Sequence, residues 1–156
     1  MKLNPDAVRK ILIFISNNLN FEDSDSDFPY QHQEMANGQI VSNNYFDDFN
    51  KSEVSYALEL LIYEGFVSTI GKPNIDSNGN MTFARINGLT LKGQELLNDI
   101  YNDTIWETTK KRAKQLGKVS LSAMAAGAKA LTSAFMADPN AINNLVEGIK
   151  NMTILK

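Results

Sequence analysis

The chain has 156 residues, no cysteine, 43% apolar and 21% charged residues and a net charge of −3. A chain of that length buries about 68–70% of its unfolded surface, enough for a real core. The composition excludes a disulfide scaffold, a thiolate metal site, a fibre and a disordered chain. No apolar run reaches the roughly 18 residues of a membrane span, because Lys129 interrupts the best one. The opening "MKLNPDAVRK" places Pro5 and Asp6 where a secretory signal needs an apolar segment, so a cytoplasmic protein is expected. Charge is uneven. Residues 1–105 hold 7 Lys/Arg against 15 Asp/Glu, and residues 106–156 hold 8 against 3. The split predicts either mutual attraction or a basic segment that meets an acidic partner.

In chain order, the first helix is well marked. Asn4 is a good N-cap, Pro5 suits the first helical position, and Asp6 favours the positive end of the dipole. Val8, Ile11, Leu12, Ile15 and Leu19 then share one face. A polar, acidic stretch from Asn20 to Asn37 reads as loop, and "GQIVSNNYF" from Gly38 reads as a short strand. Asn50 or Ser52 caps the next helix, whose buried stripe is Val54, Ala57, Leu58, Leu61 and Ile62, with Gly65 as its left-handed terminator. "FVSTI" and "MTFARI" flank Pro73 and the turn pair Asn78-Gly79, which predicts one long hairpin. Thr90 caps a helix expected to continue through Trp106 to about Lys114, with Trp106 nearly opposite Leu97. Ser120 and Asp138 cap two more helices.

This order predicts a mainly α, α+β chain. It is a winged helix-turn-helix core over residues 1–95 with a β-hairpin wing, then a helical extension over 96–156 comprising a long helix and a C-terminal helical pair. Leu121, Met124, Ala128, Leu131 and Phe135 alternate at spacings of three and four. They serve either as core or as the seam of a homodimer, which Ala123, Ala126, Gly127 and Ala130 would allow to close tightly.

"SEVSYALELLIYEGFV", "LTLKGQELLNDIYNDTIWETTK" and "VSLSAM" together resemble a family of small phage and prophage winged-helix proteins defined only as a domain of unknown function. The most specific part is the run Leu96, Leu97, Asp99, Ile100, Asp103, Trp106, Thr109 and Lys110. Ala57 departs from the family, which often has His there, and Leu91 departs from a frequent aromatic. The resemblance implies a winged-helix core and a phage or prophage origin, and it implies no activity.

Catalytic and metal chemistry find little support. Asp23, Asp25, Asp27 and Glu34 fall at calcium-loop positions, but Phe28 stands where the turn needs glycine, so no metal is expected. His32 is the only imidazole and no thiol exists, so no nucleophile has a base. No glycine run forms a phosphate cradle, and Asp47-Asp48 lacks an apolar pocket. The reading is a non-enzyme without cofactors.

Binding is therefore the expected function, with no membrane role. A protein partner, host or phage, would meet Glu53, Tyr56 and Glu59 with the wing tip. The alternative is a DNA-binding regulator. It would use Lys51, Ser55, Tyr56, Lys72, Arg85 and Lys92, joined by the basic segment Lys110, Lys111, Arg112, Lys114 and Lys118. Residues 40–95 carry 4 basic and 7 acidic side chains, which disfavours phosphate and favours protein.

Overall fold

A computed structural model describes residues 2–19, 34–115, 120–138, 140, 144, 147 and 148. Helix α1 (Pro5–Asn18) begins as its residues dictate: Asn4 Oδ1 accepts from the Asp6 and Ala7 amides at 3.0 and 3.4 Å. Val8, Ile11, Leu12, Ile15 and Leu19 are all buried. Each such side chain contributes about 1.5–3 kcal/mol relative to exposure.

The chain next forms strand β1 (Met35–Ala36) and helix α2 (Asn37–Val41), followed by a 3₁₀ turn over Asn44–Phe46. This corrects the strand expected from Gly38 onward. Gln39 Oε1 accepts from the Ala36 amide at 2.8 Å and Asn43 Oδ1 from the Tyr45 amide at 2.9 Å, so local caps start turns there. The strand lies just upstream, inside the stretch read as loop. Phe46 from this turn packs against Phe14 of α1, with ring centroids 5.2 Å apart.

Helix α3 (Lys51–Tyr63) buries Val54, Ala57, Leu58 and Leu61, while Ile62 stays partly exposed. The Asn50 side chain makes no capping bond; instead Glu53 Oε2 reaches back to the Asn50 amide at 3.4 Å. Gly65 ends the helix with φ 80°, a left-handed value that suits glycine. α1 packs on α3, and α2 packs on α3 as well.

Strands β2 (Val67–Thr69), β3 (Asn74–Ile75), β4 (Met81–Phe83) and β5 (Arg85–Leu89) follow. They form two antiparallel ladders where one long hairpin was expected. At the base, β2 pairs with β5 from Val67↔Leu89 to Thr69↔Ile86, and β1 joins the other edge of β5, giving the order β1-β5-β2. At the tip, β3 pairs with β4 through Asn74↔Phe83 and Ile75↔Met81. Ala84 separates the ladders because Asn37 takes both its backbone groups: Asn37 Oδ1 accepts from its amide at 3.1 Å and the Asn37 amide donates to its carbonyl at 3.0 Å.

Helix α4 (Leu91–Ile100) starts where Thr90 Oγ1 accepts from the Gly93 amide at 3.1 Å. It does not continue to Lys114. A break at Tyr101-Asn102 separates it from α5 (Asp103–Gln115), since Asn102 Oδ1 accepts from the Thr104 and Ile105 amides at 2.9 and 3.1 Å and starts a new helix. Trp106 is buried and lies on α5, so it shares no helix with Leu97. Helix α6 (Leu121–Ala137) is capped by Ser120 Oγ, which accepts from the Ala123 amide at 3.2 Å. α5 and α6 pack together, with Gly127 beside Thr109. The helix expected after Asp138 falls mostly outside the described residues.

The architecture is thus mainly helical with small antiparallel sheets, an α+β arrangement. It divides into two compact units, Met1–Gln94 and Glu95–Lys156. Among the described residues no helix is long and apolar enough to cross a membrane.

Candidate functional site

The outer face of α3 carries five of the residues singled out by sequence, Lys51, Glu53, Ser55, Tyr56 and Glu59. Lys51 and Ser55 are exposed, and Glu53, Tyr56 and Glu59 are partly buried. Ser55 and Glu59 are one helical turn apart, which brings both to the same side. They line an open cleft with Leu58 of α3, Asn37 and Val41 of α2, and Met81 of β4. Glu59 Oε1 accepts from the Met81 amide at 3.4 Å, so the helix and the hairpin tip meet at this carboxylate. The cleft is open, and the space inside it is about that of one water molecule, far short of the roughly 300–1,000 Å³ typical of small-molecule sites.

Beyond the cleft, Asp76 organises the hairpin turn. Its Oδ1 accepts from the Asn80 and Asn78 amides, both at 2.9 Å. The Asn80 amide above all, helped by that of Asn78, holds this exposed carboxyl below the ordinary 3.8. Large apolar side chains are exposed on the hairpin, Ile75 at 49% and Phe83 at 43%, and Tyr63 at the end of α3 is 49% exposed.

The cations predicted to meet phosphate are not gathered on this face. Lys51 and Lys72 are exposed. Arg85 is engaged by Glu34, with Nη2 2.8 Å from both carboxylate oxygens and Nε 3.2 Å from one. Lys92 donates from Nζ to the Glu64 carbonyl at 2.9 Å and sits 4.2 Å from the centroid of the Phe66 ring. It serves the C-terminal end of α3, where positive charge is favoured.

In the second unit, Lys110 pairs with Glu107 at 3.0 Å and lies 5.5 Å from the Trp106 ring centroid. Lys111, Arg112 and Lys114 are exposed on α5, and Lys118 falls outside the described residues. Leu121, Met124, Ala128 and Leu131 are buried, whereas Phe135 is 38% exposed.

Of the calcium-like set, Asp23, Asp25 and Asp27 lie outside the described residues, as does His32, and Glu34 is the partner of Arg85. Among the described residues no group of three His, Asp or Glu side chains could hold a metal ion. Sequence reasoning missed Asn37, Val41 and Met81 as site residues. The five-residue α2 is too short for periodicity to reveal, and only tertiary pairing brings Met81 to Glu59.

A family model described as "Hypothetical protein (DUF2513)" matches residues 2–120. The chain belongs to this family. The matched span of DUF2513 includes every residue that lines the cleft. An "Uncharacterized protein" of Haemophilus influenzae Rd is similar, at 30% identity over 138 residues that cover 88% of this chain and 100% of the relative. No solved structure matches the chain.

Proposed function

We propose that this chain is a non-enzymatic winged-helix protein of phage or prophage type. On this reading it acts in the cytoplasm by binding another protein, of host or phage, through α3 and the hairpin tip. The winged-helix reading is supported by element order, helix-strand-helix-helix and then a hairpin, with the first strand added beside β5. In that reading α3 is the recognition helix and β3–β4 the wing. The phage setting rests on the sequence resemblance alone.

The fate of the cations carries the preference for protein over DNA. Arg85 is neutralised by Glu34 and Lys92 is committed to the end of α3, which leaves Lys51 and Lys72, with Glu53 and Glu59 on the same helix as Lys51. Two phosphate contacts correspond to a slope of only about −2 in log K against log salt. Exposed aromatic and branched side chains such as Tyr63, Phe83 and Ile75 are the anchors protein interfaces use. The DNA-regulator reading is supported by exposed Lys111, Arg112 and Lys114 on α5.

Fluorescence anisotropy with a mixed-sequence duplex at physiological salt separates the two. Wild type is expected to bind no more tightly than about 10⁻⁴ M, the weak end of non-specific association, and Glu53→Lys with Glu59→Lys should tighten it. Sub-micromolar, sequence-selective binding by wild type would establish the regulator instead. In the protein arm, a photo-crosslinker at Ser55 should trap one partner in native-host extract. Ile75→Ser with Phe83→Ser should abolish that adduct.

A further inference from the structure

The dipeptide Asn-Gly occurs three times, at Asn37-Gly38, Asn78-Gly79 and Asn87-Gly88. In this pair the side-chain amide is open to attack by the backbone nitrogen that follows it, because glycine has no Cβ to obstruct the approach. The fold treats the three differently. Asn37 Oδ1 accepts from the Ala84 amide at 3.1 Å, the Asn37 amide donates to the Ala84 carbonyl at 3.0 Å, and Gly38 lies within α2. Asn87 lies in β5 with its Oδ1 buried. Gly88 pairs with Ser68, and a Cβ built on it would meet the Leu19 carbonyl oxygen at 3.2 Å. Neither of these peptides can rotate without opening α2 or the sheet. Asn78 and Gly79 are instead exposed in the hairpin turn, outside both strands. Among the described residues no hydrogen bond reaches the Asn78 side chain, and a Cβ at Gly79 would meet nothing within 4 Å. The Gly79 amide donates to the Asp76 carbonyl at 3.0 Å, an exposed bond whose opening frees the nitrogen.

We propose that Asn78 is a site of self-modification, at which the chain's own backbone and water convert it to aspartate and isoaspartate. The Gly79 nitrogen gives up its proton and bonds to Asn78 Cγ, and the Cγ–Nδ2 bond breaks as ammonia leaves with that proton. The product is a cyclic imide, which water then opens. Attack at Cγ gives aspartate. Attack at the main-chain carbonyl gives isoaspartate, whose backbone runs through Cβ and Cγ and is longer by one carbon. Either product adds a carboxylate to the turn that Asp76 organises. The longer backbone cannot keep the bonds that close this turn, from the Asp76 amide to the Asn80 carbonyl and from the Asn80 amide to Asp76 Oδ1, both 2.9 Å. The hairpin tip therefore changes in charge and shape as the molecule ages, whichever partner it meets.

The test is incubation of the full chain at mildly alkaline pH, in buffer and in denaturant. Peptide mapping by mass spectrometry follows each asparagine, and isoaspartyl-methyltransferase labelling tells the two products apart. In the folded chain Asn78 should convert about tenfold or more faster than Asn37 and Asn87, which react only through local unfolding. In denaturant the three rates should converge. Asn78→Gln, whose ring closure is slower, should leave no isoaspartate in the turn. Conversion of Asn37 or Asn87 as fast as Asn78 in the folded chain, or aspartate at Asn78 without isoaspartate, would overturn the proposal. So would an isoaspartate form whose Asp76 and Asn80 amides keep their wild-type NMR shifts.

Discussion

Gly93 shows how much one residue can be asked to do. A Cβ built on it would overlap the Phe66 carbonyl oxygen and lie 2.9 Å from the Phe66 carbonyl carbon, so nothing larger than hydrogen fits between α4 and the start of β2. Both atoms it would meet belong to the backbone, which cannot swing aside as a side chain can. Gly93→Ala should therefore destabilise the protein by about 1–3 kcal/mol, read from denaturant melts. In the sequence this glycine is only a weak spot inside "LTLKG", because its reason is a neighbour 27 residues upstream. Lys92 illustrates the same limit. Its charge was legible and suggested phosphate, yet its partner is the Glu64 carbonyl, which only the fold brings near. Asn4, Thr90 and Ser120 were legible because a cap acts on amides two or three residues away.

Elements follow the same division between local and distant causes. α1, α3 and α6 could be read because periodicity, caps and terminators all lie within one window. The two-residue β1 has no period to detect, and the break within the expected hairpin depends on Asn37, far from Ala84 in sequence. The break between α4 and α5 was hidden for a different reason. Leu96, Leu97 and Ile100 keep helical spacing up to the break, and Ile105 and Trp106 resume it beyond. Asn102 decides the matter by accepting two amides of the following turn. Asn102→Ala should cost about 1 kcal/mol of stability, with a lower melting temperature as the readout. A variant as stable as wild type would show that the break is fixed by packing and not by the cap.

At the scale of the whole molecule, the described residues of the two units differ in what they bury. Among them, the first unit holds Ile11, Leu12, Ile15, Leu58, Leu61 and Phe66 as fully buried large side chains, and the second holds Ile100, Leu121 and Met124. Local stability follows buried apolar contact, so native-state hydrogen exchange should find its slowest amides in α1, α3 and β5. Those amides should exchange roughly tenfold or more slowly than the amides of α6. The opposite ranking would place the stable nucleus in the helical extension. Composition made the acidic and basic partition visible, but not the cleft, whose walls come from three separate elements.

The turn that ends α3 and the turn that begins α4 hold one another. The Phe66 carbonyl accepts from the Thr90 amide at 3.1 Å, the Gly65 carbonyl from Thr90 Oγ1, and the Glu64 carbonyl from Lys92 Nζ at 2.9 Å. The polypeptide thus leaves this point at Phe66 and returns to it at Thr90, and the circuit is shut by bonds that owe nothing to the peptide links of its far side. At that far side Ser77 and Asn78 stand exposed in the turn. A protease that severed the bond between them would part the chain without parting the molecule.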